Sequence, residues 1–279
     1  FISAKEATHK LRPNNEARIV WANDSVKQKT AYSIVYLHGF SASQEEGNSV
    51  HRNIAKQYGC NLYLSRLAEH GEDTLEQLLH LTSDNYWQSA QEALAIGRQL
   101  GNKVILMGTS TGGSQALQLA AAYPDEVAAL ILFSPNIAIN NPWGLQMARL
   151  VNGGNYIISD DDRTIYKQYW SKPYRLEATV VLEEMLETTM TKQTFEKIKQ
   201  PTLLLFYYKD EQHQDNVVKV SAMKLMFKEL ATIDAAKRAV ALPNTGNHVM
   251  ASPIKSKDIE SVQYETKKFL EEVIHLPVK

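Results

Sequence analysis

A serine hydroxyl attacks at neutral pH only beside a base, and the base works best when an acid orients it and stabilises its charged form. One stretch of this sequence sets a serine up for that chemistry: Gly108-Thr109-Ser110-Thr111-Gly112-Gly113. Gly-x-Ser-x-Gly directly after the apolar run Val104 to Met107, and directly before a helical pattern, implies a sharp strand-to-helix turn that exposes the serine. Gly108 and Gly112 are then required because neighbouring backbone passes too close for a Cβ. A helix starting at Thr111 points its positive end at the same place and favours a developing anion. A phosphate-binding loop is disfavoured, because the Lys of a Walker motif is absent.

Eight histidines are available as the base. His248 is the candidate. It follows the apolar run Arg238 to Leu242 and the turn-rich loop Pro243-Asn244-Thr245-Gly246-Asn247, so it can return to the top of a sheet beside Ser110. His9, His80 and His275 fall on helical or terminal segments and read as surface residues. The orienting acid belongs on the loop after the run Thr202 to Tyr208, where two aspartates compete. Counting from the strand favours Asp210. Counting back from the next helix favours Asp215, which has an apolar anchor two residues on and also suits a helix N-cap. We take Asp215 as the candidate, with Asp210 as the alternative; His213 between them reads as exposed. His38-Gly39-Phe40 follows another apolar run, Ser33 to Leu37, and its glycine turn presents backbone N–H groups. The N–H groups of Phe40 and Thr111 are the candidate oxyanion hole. His38 itself reads as structural, hydrogen-bonding the loop.

These residues need a scaffold that brings distant loops to one edge. Strand-like runs occupy 18–22, 33–37, 61–64, 104–107, 127–133, 202–208 and 238–242. Helical patterns fill 44–58, 85–100 with Gly101 as its cap, 111–122 stopped at Pro124, 216–231 and 257–275. Unbroken apolar strands alternating with helices imply an α/β fold, with a mostly parallel central sheet covered on both faces. The alternation fails from 136 to 199, a stretch rich in Asn, Trp, Tyr and Met. It is expected to hold helices near 162–170 and 178–198 and no strand. The expected organisation is a core of 1–135 and 200–279 with a helical cap at 136–199. Trp143, Met147, Leu150, Tyr156 and Trp170 of that cap suit either an apolar acyl pocket or packing of the cap on the core. Asp160-Asp161-Asp162 reads as a solvated turn, since the further oxygen ligands of a calcium loop do not follow.

Composition narrows the partners. Thirty basic against thirty-one acidic residues give a net charge of −1, without the positive field that phosphate backbones require, so no nucleic-acid partner is expected. A single cysteine, Cys60, excludes an intrachain disulfide and cysteine-rich zinc modules, and reads as a buried, inert thiol. The longest apolar run, Val127 to Phe133, is far short of the roughly 20 residues that span a bilayer. The chain starts at Phe1 rather than Met. A preceding segment is therefore expected, a signal peptide, an anchor or a truncation, with the compartment (cytoplasm or envelope) following from which it is.

In their order, His38-Gly39, Gly108-Thr109-Ser110-Thr111-Gly112, Asp215 and His248 resemble the α/β-hydrolase superfamily. Ser65-Arg66-Leu67-Ala68-Glu69-His70-Gly71-Glu72-Asp73 resembles the loop after the fourth strand of carboxylesterases and monoacylglycerol lipases, where Arg/Pro-Leu-x-x-His-Gly recurs. Asp84-Asn85-Tyr86-Trp87 resembles the start of their next helix. The serine at the elbow argues against haloalkane dehalogenases, which carry Asp there. The resemblance implies that 136–199 covers the site and shapes acyl or alcohol selectivity. The expected activity is metal-independent and cofactor-free serine hydrolysis of a small-molecule carboxylic ester. The alternatives are the same triad acting on an amide, peptide or thioester bond, and a non-catalytic ligand-binding protein of this fold.

Overall fold

The apolar runs assemble into one seven-stranded sheet. In chain order its strands are β1 (Arg18–Val20), β2 (Thr30–Leu37), β3 (Asn61–Leu64), β4 (Gly101–Thr109), β5 (Val127–Phe133), β8 (Thr202–Phe206) and β9 (Lys237–Ala241); β6 (Tyr156–Ile157) and β7 (Tyr174–Arg175) form a separate ribbon. The structure is a computed structural model that describes residues 1–140, the backbone of 156–157, and residues 163–279. The strand order is β1-β3-β2-β4-β5-β8-β9. Only β1 runs antiparallel to its neighbour; β3, β2, β4, β5, β8 and β9 are mutually parallel.

Strand periodicity divides the core into two layers. Val35, Leu37, Leu106, Leu130, Leu132 and Leu204 face one side, where helices Ser83–Leu100, Thr111–Ala122 and Val220–Glu229 pack. Ile34, Tyr36, Ile105, Met107, Ile131 and Leu203 face the other, under helices Val50–Tyr58 and Ile259–Glu272. Both faces are covered, which is why the central strands read as continuous apolar runs rather than alternating ones. Burying one such Leu or Ile contributes about 1.5–3 kcal/mol. The edge strand β9 is only partly buried and carries Lys237 and Arg238, charges that discourage further strand pairing.

Several expectations need correction. The pattern at 44–58 is two elements, a 3-10 turn Gln44–Gly47 started by Ser43, whose side chain accepts the Glu45 N–H, and a helix Val50–Tyr58. Gly47 lies so close to the Tyr36 and His51 rings that a Cβ there would stand 2.4–2.6 Å from them, and Asn48 is extended. The helical stretch 178–198 is likewise split. Helix Glu177–Thr189 ends at Met190, and Thr191 caps a new turn, Lys192–Phe195. Strand does occur between 136 and 199: β6 and β7 pair antiparallel, Tyr156 with Arg175 and Ile157 with Tyr174. The helix expected from 216 starts at Val220. Leu182, Met185, Leu186 and Phe195 of this region join the first core layer. Trp143, Met147, Leu150, the side chain of Tyr156 and Asp160 to Asp162 lie outside the described residues. Among the described residues, no helix is long and apolar enough to cross a membrane.

The N-terminal segment is tied to the loop after β3. Arg66 Nε donates to Glu6 Oε2 at 2.8 Å, and both side chains are buried. Cys60 is buried as well, and burial pushes its thiol up to about 12.

Candidate active site

The sheet's carboxyl edge, where open α/β sheets bind ligands, gathers the residues singled out from sequence. β4 ends at Thr109 and a helix begins at Thr111, leaving Ser110 between them at φ 53°, ψ −123°. That conformation costs on the order of 1–3 kcal/mol for a residue with a Cβ and persists only when its surroundings fix it. They do so here. Ser110 N–H donates to the Phe133 carbonyl at 3.0 Å, and its own carbonyl accepts from the N–H groups of Gly113 (2.9 Å), Ser114 (3.2 Å) and Asn136 (2.9 Å). The flanking glycines are needed as anticipated. A Cβ on Gly108 would stand 2.6 Å from Gly112 backbone, and one on Gly112 would stand 2.0 Å from the Leu37 carbonyl oxygen.

His248 and Asp215 meet although 33 residues separate them: His248 Nδ1 lies 2.7 Å from Asp215 Oδ2. Tyr208 and Gln214 pair across an antiparallel bridge, so residues 209–213 loop outward and Asp215 returns to the strand end. Its N–H donates to the Tyr207 carbonyl at 3.1 Å, and its Oδ1 accepts the N–H groups of Val217 (2.9 Å) and Val218 (3.1 Å). The anchor of this loop is the fully buried Val218, three residues on; Val217 is 47% exposed. Asp210 sits in the outward loop, exposed, with Oδ1 2.8 Å from His213 Nδ1. The structure therefore brings Asp215, and not Asp210, to His248.

The charges follow from these contacts. Burial pushes the Asp215 carboxyl up, but the His248 charge, its hydrogen bond and two backbone N–H groups prevail and hold it below its ordinary value. Burial likewise opposes an imidazolium at His248, yet the Asp215 carboxylate, its hydrogen bond and the charge of Glu46 outweigh it and raise the pKa. The carboxylate fixes the proton on Nδ1, and Nε2 has no hydrogen-bond partner among the described residues. His248 and Ser110 line one cavity of roughly 650 Å³ without a direct hydrogen bond between them. Such bonds are often long without substrate.

Phe40 and Thr111 line the same cavity, and among the described residues neither N–H donates to a backbone carbonyl. The Phe40 turn is held from behind by two histidines. His38 Nε2 accepts the Leu67 N–H at 3.0 Å, and its Nδ1–H donates to the Gly39 carbonyl at 2.9 Å. His70 Nε2 accepts the Ser41 N–H at 3.0 Å, and its Nδ1–H donates to the Ala68 carbonyl at 2.7 Å. Both rings are therefore neutral. Burial takes His38 down to about 4; burial, and then the repulsion two charged rings would meet side by side, takes His70 well below 6.5. His70 also stacks on Tyr86, with ring centroids 5.4 Å apart. Leu67, His70 and Tyr86, singled out by resemblance, thus have a positional role. His38 is structural, as read from sequence.

One residue at the site escaped the sequence reading. Glu46 is 2% exposed, lines the cavity and accepts the Gly39 N–H on Oε2 at 2.6 Å. Nothing in the helical pattern 44–58 singles it out, and the local signal is its place seven residues beyond the glycine turn. Aromatic rings make much of the cavity wall. Tyr166 and Trp170 stack at 4.8 Å, and Phe40 and Tyr174 meet edge to face at 5.3 Å. Among the described residues no three His, Cys, Asp or Glu side chains are grouped to hold a metal ion. A hydroxyl, a carboxylate-oriented imidazole and two backbone donors at one cavity suit acyl transfer.

No curated protein sequence matches the chain significantly. Solved structures do. One reported with LipS and LipT, two metagenome-derived lipolytic enzymes, has 15% identity and a TM-score of 0.76 over 94% of this chain and 99% of the other. The monoacylglycerol lipase of Paleococcus ferrophilus has 14% identity and a TM-score of 0.69, over 91% and 97%. Est1E of Butyrivibrio proteoclasticus, bound to ferulic acid, has 17% identity and a TM-score of 0.62, over 93% and 95%. These likenesses establish the fold. Residues 32–243, which carry the elbow and six of the seven sheet strands, match the family described as serine aminopeptidase, S33, and the chain belongs to that family of α/β hydrolases.

Proposed function

We propose that the protein hydrolyses carboxylic esters, with Ser110 as nucleophile, His248 as base and Asp215 as orienting acid. The observation that carries this reading is the 2.7 Å bond from His248 Nδ1 to Asp215, with Nε2 unpartnered among the described residues, in a cavity that His248 shares with Ser110. Ser110 Oγ attacks the ester carbonyl as His248 Nε2 takes its proton. The tetrahedral oxyanion accepts the N–H groups of Phe40 and Thr111, each such donor being worth about 10²–10³ in turnover. The C–O bond breaks, His248 protonates the departing alcohol, and the acyl group remains on Ser110. Water then attacks the acyl-enzyme, giving one proton to His248, and the carboxylic acid leaves as Ser110 regains its proton.

An ester substrate is supported by the aromatic walls and by a cavity of roughly 650 Å³, within the usual range of small-molecule sites. We assign 1–135 and 200–279 to the hydrolase core and 136–199 to a cap, because Tyr166, Trp170, Tyr174 and Leu182 of that stretch line the cavity with Ser110. The family description favours a second reading, the same triad acting on an N-terminal peptide bond.

p-Nitrophenyl esters of graded acyl length, run beside aminoacyl p-nitroanilides, separate the two. Ser110→Ala should lose about 10⁴-fold or more in kcat on the better series, and a fluorophosphonate probe should label the parent only. A Ser110→Ala variant with the parent's rate would overturn the assignment.

A further inference from the structure

The cavity is lined by a carboxylate that the triad leaves unused. Glu46 belongs to the 3-10 turn Gln44–Gly47 and lines the cavity with Ser110 and His248. Its Oε2 accepts the Gly39 N–H at 2.6 Å. A Cβ built on Gly39 would lie 2.9 Å from Glu46 Oε1 and 3.0 Å from Ser110 Cβ. Only a glycine backbone therefore separates the carboxylate from the serine side chain, and its N–H is the peptide directly before the Phe40 donor.

The groups around Glu46 come from four elements. β2 supplies Tyr36, whose hydroxyl also lies 2.9 Å from Thr109 Oγ1 of β4. Helix Val50–Tyr58 supplies the His51 ring, packed edge-on to Tyr36 at 4.8 Å and kept neutral by burial. Helix Ser83–Leu100 supplies Tyr86, whose hydroxyl is raised first by burial and then by the Glu46 charge. The loop after β9 supplies His248. Glu45 adjoins it on its own turn. Lys172 and Lys255 line the same cavity, and among the described residues no ion pair to Glu46 is found.

We propose that Glu46 is a positioning residue: its carboxyl group pins the Gly39 N–H so that the Phe40 N–H stays aimed at the oxyanion, and its charge sets how firmly His248 holds a proton. The claim rests on the serine-hydrolase reading above. Burial lifts the Glu46 carboxyl to about 7, against the opposing pull of the Gly39 N–H, His248 and Tyr36. Glu46 and His248, which line one cavity, then titrate as a coupled pair. An ionised Glu46 stabilises imidazolium, which is no base, and repels an oxyanion forming on the same turn. A neutral Glu46 keeps the N–H bond and does neither.

Glu46→Gln retains an acceptor for Gly39 and removes the charge, so the two roles separate. We expect the His248 imidazole, followed by NMR of its ring carbon, to titrate about half a pH unit or more lower in Glu46→Gln. The acid limb of kcat/KM should move down with it, while kcat at alkaline pH stays equal or rises. Glu46→Ala should lower kcat about 10-fold or more with KM nearly unchanged, the pattern of a lost transition-state interaction. A His248 titration and an acid limb in Glu46→Gln that superimpose on the parent's overturn the inference, whatever Glu46→Ala does, because a merely structural carboxylate leaves both in place. The NMR titration reads the free protein, so it stands apart from substrate choice. Ser110→Ala with full esterase activity removes both claims, whereas an inactive Ser110→Ala beside an unmoved titration removes this one alone.

Discussion

The loop after β8 and the turn after β2 each bring a buried carboxylate toward His248, and the two differ in their donors. Asp215 has two backbone N–H groups and the imidazole hydrogen bond, and its pKa falls despite burial. Glu46 has one backbone N–H and the Tyr36 hydroxyl for company, and burial prevails. Two buried carboxyl groups near one imidazole thus shift in opposite directions, Asp215 with three hydrogen-bond partners and Glu46 with the Gly39 N–H and the Tyr36 hydroxyl. The charge and hydrogen bond of His248, with two backbone donors, outweigh burial at Asp215, whereas burial outweighs the fewer partners of Glu46.

The largest expected effect tests the Asp215 side. Asp215→Asn should lower kcat by about 10³–10⁴-fold, because an amide no longer fixes the proton on Nδ1. Ester-hydrolysis kinetics measure it, and a loss below tenfold would break the comparison. Next is an acid lability confined to the β2 side. His38, His51 and His70 are held neutral by burial, His38 at about 4 and His51 at about 3, whereas the unfolded chain binds those protons near 6.5. Their contribution is complete above pH 6.5 and is lost as pH falls from there toward 4, roughly 1–2 kcal/mol per histidine by pH 5. Urea unfolding at pH 7.5 and 5 gives the total. Amide exchange should show Ser41 and Leu67, bonded to His70 and His38, opening before Val217 and Val218.

Smaller is the alkaline counterpart at Glu46. A carboxyl raised in the fold contributes stability below its unfolded value of about 4.5, and that contribution is lost as pH rises through about 7. Glu46→Gln should therefore gain about 1–3 kcal/mol on the parent at pH 9 relative to pH 5 in the same unfolding assay. The smallest effect is Asp210→Asn. Its carboxylate is exposed and bonded to His213, so kcat should stay within about twofold. A large loss there would reassign the acid.

How much of this was readable from the chain depends on range. The sheet was readable because β2, β4, β5 and β8 are buried on both faces, which leaves unbroken apolar runs. The elbow was readable because the sterics of Gly108 and Gly112 are local. Asp215 was half readable. Loop counting left two aspartates, and the Tyr208–Gln214 bridge that chooses between them is a tertiary fact. Glu46 was not readable, since its burial comes from the Gly39 turn closing over it. β6 and β7 were also hidden, because two residues each carry no periodicity.

The contact of Gly112 with the Leu37 and His38 carbonyls has a further consequence. Two peptide segments remote in sequence touch there with no side chain between them, so the serine and the donors opposite form a single unyielding block. On the proposed assignment, accommodation of substrates of different shape falls to side chains outside that block, such as Tyr166 and Trp170, which line the same cavity. Under that assignment, a change in what the pocket accepts need not touch the backbone that holds Ser110.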